Sequence, residues 1–246
     1  MEYFFIIDNG STHMIVSMMG YFFAGYYLIQ LKPVQFGSYE NKTIYTCSGC
    51  INDDLVKSWL IHDFDGKNEY IKELKENFNF SQDEVKILTQ WLHGGYEQGK
   101  IIYPNIFSEI KFAKEYKNKF IKKNNNIKLF AIYFCENQKK NLFNVFKNNE
   151  NGFCRILGKG ISEKNNKEIF IGYDLIGIDD IGFHTFHCHD IGKELCDKFK
   201  ITLNEYGLFN YYQNWDPILD YMNGDESAVE PVPWFVVKVK LVPENL

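Results

Sequence analysis

The sequence predicts an α+β fold in which a mixed or antiparallel sheet carries several helices packed on it. Aromatic residues make up 17% of the chain, with 22 Phe and 16 Tyr, and they cluster with isoleucine as in pleated, half-buried strands. In the middle of the chain, apolar residues recur every three or four positions, which indicates amphipathic helices. A chain of 246 residues can bury a core without disulfides or metals, so we expect a single domain over residues 1–246.

The first part of the chain, residues 1–60, is predicted to be mostly strand. A first strand is expected over Glu2–Asp8, because the turn residues Asn, Gly and Ser follow it directly. Two further apolar runs predict a strand, a turn and a second strand, with the turn near Ala24–Gly25. A short strand over 43–46 is expected to lead into the Cys47–Cys50 segment.

The uncharged stretch from Met14 to Leu31 approaches the length of a membrane span. Glycines interrupt it, and three tyrosines lie in or near its middle although tyrosine prefers the membrane interface. These interruptions favour buried strands over a transmembrane helix, so we do not expect the membrane to be a partner.

The second part, residues 67–123, is predicted to be helical, with helices over 68–78, 81–91 and 105–122. Ser81 and Glu84 have the spacing of a capping box at the start of the second helix. The third part, residues 127–246, is predicted to mix both structures. Its strands are expected at 127–135, 152–158, 168–178 and 233–242, and its helical segments at 140–146, 190–199 and 216–222, with Asp190 capping the helix that follows it.

The charges exclude one class of partner and suggest another. The net charge is -5, and Arg155 is the only arginine, whereas a protein that binds nucleic acid normally presents several. Residues 100–168 contain 15 basic and 6 acidic side chains, net +9, and residues 171–230 contain 3 basic and 12 acidic ones, net -9. Two interpretations are open: complementary surfaces within one domain, or an acidic face that docks a basic protein.

Six cysteines would permit three disulfides, but no secretion signal precedes them. We therefore expect reduced thiols and a cytoplasmic location. The cysteines are Cys47, Cys50, Cys135, Cys154, Cys188 and Cys196.

The densest group of side chains able to bind a metal lies at 184–190, where His184, His187, Cys188, His189 and Asp190 follow one another closely. Imidazole and thiolate are the usual ligands of zinc, and the Cys47-x-x-Cys50 pair could complete a tetrahedral site. The candidate ligands are Cys47, Cys50, His184, His187 and Cys188. Against this, the chain has no paired metal-binding motifs with the usual spacing, so no cofactor is expected by default.

Two other interpretations of this group stay open. In the first, the group packs at a strand-to-helix junction, where Phe183 and Phe186 enter the core and the histidines pair with Asp179, Asp180 or Asp190. In the second, Cys188 is a nucleophile at a helix N-terminus, and His184 or His187 is its base.

Three segments of the last third of the chain, 170–177, 183–189 and 203–208, share a common style. In these segments the chain resembles the bacterial immunity proteins of polymorphic or contact-dependent toxin systems. It implies a non-enzymatic binding protein that neutralises a toxin by occlusion, with a basic toxin domain as its partner. The zinc- or thiol-dependent enzyme is the alternative.

We expect the docking face of such a protein in the acidic part of the chain. The candidate residues are Asp179, Asp180, Asp216, Asp220, Asp225 and Glu226.

Overall fold

The structure, a computed structural model, describes residues 6–8, 11–13, 20–62, 65–102, 105–122, 126–145, 167–179, 182–210, 214–225 and 227–244. Within these ranges the chain forms six α-helices and a curled antiparallel sheet of eight strands, which confirms the predicted α+β fold. The strand expected at 152–158 lies outside the described residues.

A separate hairpin precedes the sheet and consists of β1 (Ile6–Asp8) and β2 (Ser11–His13). The strands of the main sheet are β3 (Tyr21–Gln30), β4 (Asp53–Asp54), β5 (Ile101–Ile102), β6 (Ile106–Phe107), β7 (Ile127–Cys135), β8 (Ile169–Ile178), β9 (Phe183–Thr185) and β10 (Trp234–Leu241). Their order is β5-β6-β3-β7-β10-β8-β9, and β4 pairs with β3. All three predicted parts of the chain therefore contribute strands to one sheet.

The turn predicted near Ala24–Gly25 is wrong, because β3 continues through both residues. The pairing of β3 with β7 shifts its register between Phe23 and Gly25, as in a β-bulge. Gly25 has a φ of 142°, and a Cβ atom there would lie 2.0 Å from Cγ2 of Ile106. The glycine thus allows the bulge and the close approach of β6, and does not end the strand. No helix within the described ranges is long and apolar enough to cross a membrane.

The helices are α1 (Lys67–Phe78), α2 (Gln82–Glu97), α3 (Ile110–Phe120), α4 (Lys139–Val145), α5 (Gly192–Phe199) and α6 (Asp216–Met222). The predicted capping box is confirmed: the Glu84 amide donates to Ser81 Oγ over 3.2 Å, and the Ser81 amide donates to Glu84 Oε2 over 2.7 Å. The third helix begins later than predicted, because residues 106–107 pair with β3 as β6.

Asp190 does not cap α5, so that prediction is also wrong. The helix begins at Gly192 after Ile191, and Asp190 has a left-handed backbone with a φ of 55°. Its carboxylate accepts a hydrogen bond from the Ser38 amide over 3.0 Å and another from the Ser38 hydroxyl. Asp190 therefore ties the turn before α5 to the distant 37–39 segment.

The core lies on both faces of the sheet, as the alternation along β7 shows. Phe130, Ile132 and Phe134 belong to the core on one face, which the 31–47 segment, α4 and residues 206–208 cover. Ala131 and Tyr133 point to the opposite face, where α1, α2 and α3 pack over one half of the sheet. Over the other half of that face, α5 and α6 pack on β8 and β10.

Candidate functional site

The candidate site lies beside the edge strand β9, where the 47–50 segment crosses it. The Ser48 side chain is fully buried, and its hydroxyl donates to the Phe183 carbonyl over 2.7 Å. The same oxygen accepts the Cys50 amide over 3.2 Å. These two hydrogen bonds attach the turn to β9 and place Cys50 next to the strand that carries His184.

The two cysteines of the Cys47-x-x-Cys50 pair lie in different environments. Cys47 is fully buried in the core of the sheet, and burial together with the charge of Asp174 raises the pKa of its thiol well above the usual value. Cys50 is exposed at the surface. A side chain that packs in the core and one that faces solvent do not form the single site that their spacing predicted.

The Cys50 thiol has an unusual set of neighbours. Its Sγ atom lies 3.6 Å from Nδ1 of His184. The hydrogen bond with Cys188 lowers the pKa of Cys50 most, burial opposes this, and Ser48 and His184 lower the pKa further, to about 6. At neutral pH most of Cys50 is therefore thiolate, which is the nucleophilic form of cysteine.

His184 is held by two carboxylates. Its Nε2 lies 2.7 Å from Asp179 Oδ2, and its Nδ1 lies 3.5 Å from Glu230 Oε1. Burial lowers the pKa of His184, but the hydrogen bond with Asp179 and the negative charges of Cys50, Asp179 and Glu230 outweigh it, so the pKa is raised. Asp179 is itself positioned, because its Oδ1 accepts the Gly182 amide over 2.8 Å.

Cys188 is the second thiol of the site. It lies in a single turn of 3-10 helix at 186–189, and its Sγ is 3.8 Å from Ser48 Oγ. The hydrogen bond with Cys50 and burial both raise the pKa of Cys188. Since α5 begins only at Gly192, Cys188 is not at a helix N-terminus, and the helix dipole invoked for it does not act there. The thiol with the lowered pKa is Cys50.

The other two histidines have structural partners. His187 is buried, its Nε2 lies 2.8 Å from the Gly207 carbonyl oxygen, and burial lowers its pKa to about 4. The neutral ring therefore donates through Nε2 and packs edge-on against Tyr39 with 4.6 Å between ring centroids. His189 pairs with Glu230, which also faces His184. The sequence predicted that the histidines pair with Asp179, Asp180 or Asp190, and His184 does pair with Asp179.

The five candidate zinc ligands separate into two groups. Cys50 adjoins His184 and Cys188, whereas Cys47 packs in the core and His187 is bonded to Gly207. In the part of the chain that the structure describes, no three His, Cys, Asp or Glu side chains are arranged to hold a metal ion. Zinc binding stays a prediction from the sequence.

The candidate docking residues also fall into separate places. The Asp179 carboxylate is hydrogen-bonded to His184. Asp216 and Asp220 are exposed on α6, and Asp225 is exposed just after that helix. The remaining two, Asp180 and Glu226, lie outside the described residues.

Comparison with known proteins gives no match: no family model, no curated protein and no solved structure is similar to this chain. The chemistry of the site is therefore inferred from its geometry alone. The sequence analysis named Cys50, His184, Cys188 and Asp179 as candidates. It predicted that Cys50 and Cys47 belong to one site, however, and it gave no signal for Glu230. Glu230 lies 41 positions beyond its partner His189, in a segment without a motif.

Proposed function

We propose that the protein is a thiol-dependent enzyme in which Cys50 is the nucleophile, His184 its proton carrier and Asp179 the residue that orients His184. One observation carries the proposal: Cys50 Sγ, His184 and Asp179 form a continuous chain, with 3.6 Å and 2.7 Å between successive partners. A nucleophile in contact with a base that a third group orients is the diagnostic arrangement of covalent catalysis.

The reaction class that suits this arrangement is acyl transfer from an electrophilic carbonyl compound. The Cys50 thiolate attacks the carbonyl carbon, and the carbonyl electron pair moves to oxygen. When that pair returns, the bond to the leaving group breaks, and His184 gives its Nδ1 proton to the leaving group. Water then cleaves the thioester, and His184 accepts the proton that the water loses.

The environment of Cys50 supports this role better than that of any other described cysteine. Cys47 and Cys135 are buried and Cys196 is half-buried, and burial raises the pKa of all three. Protonated thiols are poor nucleophiles, so among the five cysteines that the structure describes, Cys50 alone combines exposure with the thiolate form at neutral pH.

The experiment is acylation by p-nitrophenyl acetate, followed by intact-mass measurement and peptide mapping. We expect one acetyl group on Cys50 in the unmodified chain and in the control variant Cys196→Ser, and none in Cys50→Ser. His184→Gln should acylate roughly 100-fold more slowly, because the proton carrier is lost. Acylation that persists in Cys50→Ser, or that maps to another residue, would overturn the proposal.

A second candidate function is the binding protein of the immunity type, and the surface of α6 favours it. Asp216 and Asp220 are four positions apart, so they lie on one side of the helix, and both are exposed. Exposed Asp225 extends this acidic surface beyond the helix. Such a surface would attract and orient a basic partner.

The test of this candidate is the affinity for a toxin domain encoded beside the gene. Charge reversal at Asp216 and Asp220 should weaken binding and reduce its salt dependence, whereas reversal of Glu69, an exposed acid on α1, should not. If the unmodified chain, the Asp216 and Asp220 variant and the Glu69 variant bound the toxin domain equally well, the surface of α6 would be excluded as the docking face.

A further inference from the structure

Cys188 carries a thiol that forms no bond in the acyl transfer proposed for Cys50. Both residues contact the Ser48 hydroxyl, whose oxygen accepts the amide of Cys50 and lies 3.8 Å from Sγ of Cys188. The two thiols are therefore neighbours, and each has the largest influence on the other's pKa, which is lowered at Cys50 and raised at Cys188. The fold thus brings together two cysteines from a turn and a 3-10 helix that are far apart in the sequence.

We propose that a hydroperoxide oxidises Cys50 and that Cys188 then closes a reversible disulfide with it, which makes the pair a peroxide-responsive redox site. The inference rests on the Cys50 thiolate of the proposed function and adds to it a second substrate class and a means of control.

The chemistry has two balanced steps. The Cys50 thiolate attacks one oxygen of the hydroperoxide, the O–O bond breaks, and the departing alkoxide takes the His184 proton to leave as an alcohol. Cys50 is now a sulfenic acid, and the hydroperoxide has been reduced. The Cys188 sulfur then attacks the Cys50 sulfur, the S–O bond breaks, and the released hydroxide takes the Cys188 proton as water. Two thiols and one hydroperoxide give one disulfide, one alcohol and one water.

The pair is suited to both steps for geometric reasons. Cys50 is exposed, so a small peroxide can reach it, whereas Cys188 is half-buried directly beside it. Neither residue lies in a regular strand or an α-helix, so local rotation around the shared Ser48 contact can bring the two sulfurs to the disulfide length of about 2.05 Å. Exposed thiolates beside a resolving cysteine are the sites most susceptible to oxidation.

Closing the disulfide has a direct consequence for the proposed acyl transfer. It consumes the nucleophile, since the Cys50 sulfur is bonded to Cys188 and is no longer a thiolate beside His184. The oxidised protein is therefore inactive toward esters, and a small dithiol restores it by thiol–disulfide exchange.

The experiment treats the reduced, full-length protein with equimolar hydrogen peroxide and follows intact mass, dimedone labelling and disulfide mapping. We expect a Cys50–Cys188 disulfide in the unmodified chain and in the control Cys196→Ser. Cys188→Ser should instead accumulate a sulfenic acid on Cys50 that dimedone labels, and Cys50→Ser should form neither product. In both Cys188→Ser and Cys50→Ser we expect complete loss of the Cys50–Cys188 disulfide.

Two results would overturn the inference. The first is a persistent sulfenic acid on Cys50 in the unmodified chain, and the second is a disulfide that joins other cysteines or two molecules. Acetylation of the reduced, unmodified chain by p-nitrophenyl acetate tests the proposed function separately. If that acetylation fails while the Cys50–Cys188 disulfide forms, acyl transfer is wrong and the redox site stands.

Discussion

The Sγ atom of Cys50 lies 3.6 Å from Nδ1 of His184, although 134 positions separate the two residues in the chain. Ser48 makes this approach possible, because its hydroxyl bonds both to the Cys50 amide and to the carbonyl of Phe183, the neighbour of His184. The contact joins an exposed thiol to an imidazole that two carboxylates surround. Its consequences can be measured without knowledge of the natural substrate.

Replacing Asp179 by Asn tests whether this carboxylate acts on Cys50 through His184. The variant keeps an oxygen that can accept the Gly182 amide, so the turn should remain folded. Loss of the charge removes the main cause that raises the pKa of His184. We expect a lower histidine pKa by NMR titration and acetylation of Cys50 slowed roughly tenfold. Unchanged values for both would show that Asp179 has no positioning role, and Asp197→Asn, on α5, is the matched control.

Substitutions of Cys188 test the origin of the low pKa of Cys50. Cys188→Ala removes the hydrogen bond that lowers the pKa most, whereas Cys188→Ser keeps a hydroxyl donor in the same place. We expect the pH profile of Cys50 alkylation to move to higher pH in the alanine variant and to move less in the serine variant. The same profile in both variants and the unmodified chain would mean that Cys188 does not stabilise the thiolate.

Buried Asp174 should make folding stability depend on pH. Burial raises its pKa to about 7 from 3.8, and hydrogen bonds from Thr46 and Thr185 only partly offset this. Because the folded-state pKa lies above the unfolded one, the folded state binds the proton more tightly. The stabilising effect is complete below about pH 4, falls as pH rises, and is lost above about pH 7.

Asp174→Asn replaces the titrating carboxyl group by an amide that does not titrate, so the variant serves as the reference for the unmodified chain. The free energy of unfolding of the unmodified chain, minus that of the variant, should fall on the order of 4 kcal/mol between pH 4 and pH 7. Urea titrations at several pH values measure this difference, in which other titrating groups cancel. A difference that stays constant with pH would contradict the assignment of a raised pKa to Asp174.

A pair of glycine substitutions tests the bulge in β3. Gly25→Ala should destabilise the fold on the order of 3 kcal/mol, because its positive φ and the nearby Ile106 leave no room for a Cβ atom. Gly94, in helix α2, has nothing within 4 Å of its added Cβ, so Gly94→Ala should stabilise the protein by about 0.5–1 kcal/mol. Urea unfolding of both variants checks these signs, and a neutral Gly25→Ala would mean that β3 has no bulge there.

Local sequence signals were enough to predict the elements whose residues dictate their own conformation. The capping box of Ser81 and Glu84, the strand at 127–135 and the strand near 168–178 were all confirmed. The failures occurred where distant residues decide. Gly25 looks like a turn residue until Ile106 packs against it, and Asp190 looks like a helix cap until Ser38 takes its carboxylate.

The candidate site shows the same division. Its cysteine and histidine side chains stand out by chemistry alone, but their partners depend on which segment crosses the edge strand β9. The spacing of Cys47 and Cys50 indicates a pair, although Cys47 turns into the core and Cys50 faces His184. No local pattern encodes the approach of Glu230, because it depends on how the segment before β10 folds back onto β9.

The most direct test of the central claim is the rate of iodoacetamide modification of Cys50 as a function of pH, resolved by peptide mapping. We expect a midpoint at about pH 6 and rapid modification of Cys50 before any other described cysteine. A midpoint near pH 8.5, the value of an ordinary free thiol, would contradict an activated thiolate at Cys50 and with it the proposed enzyme.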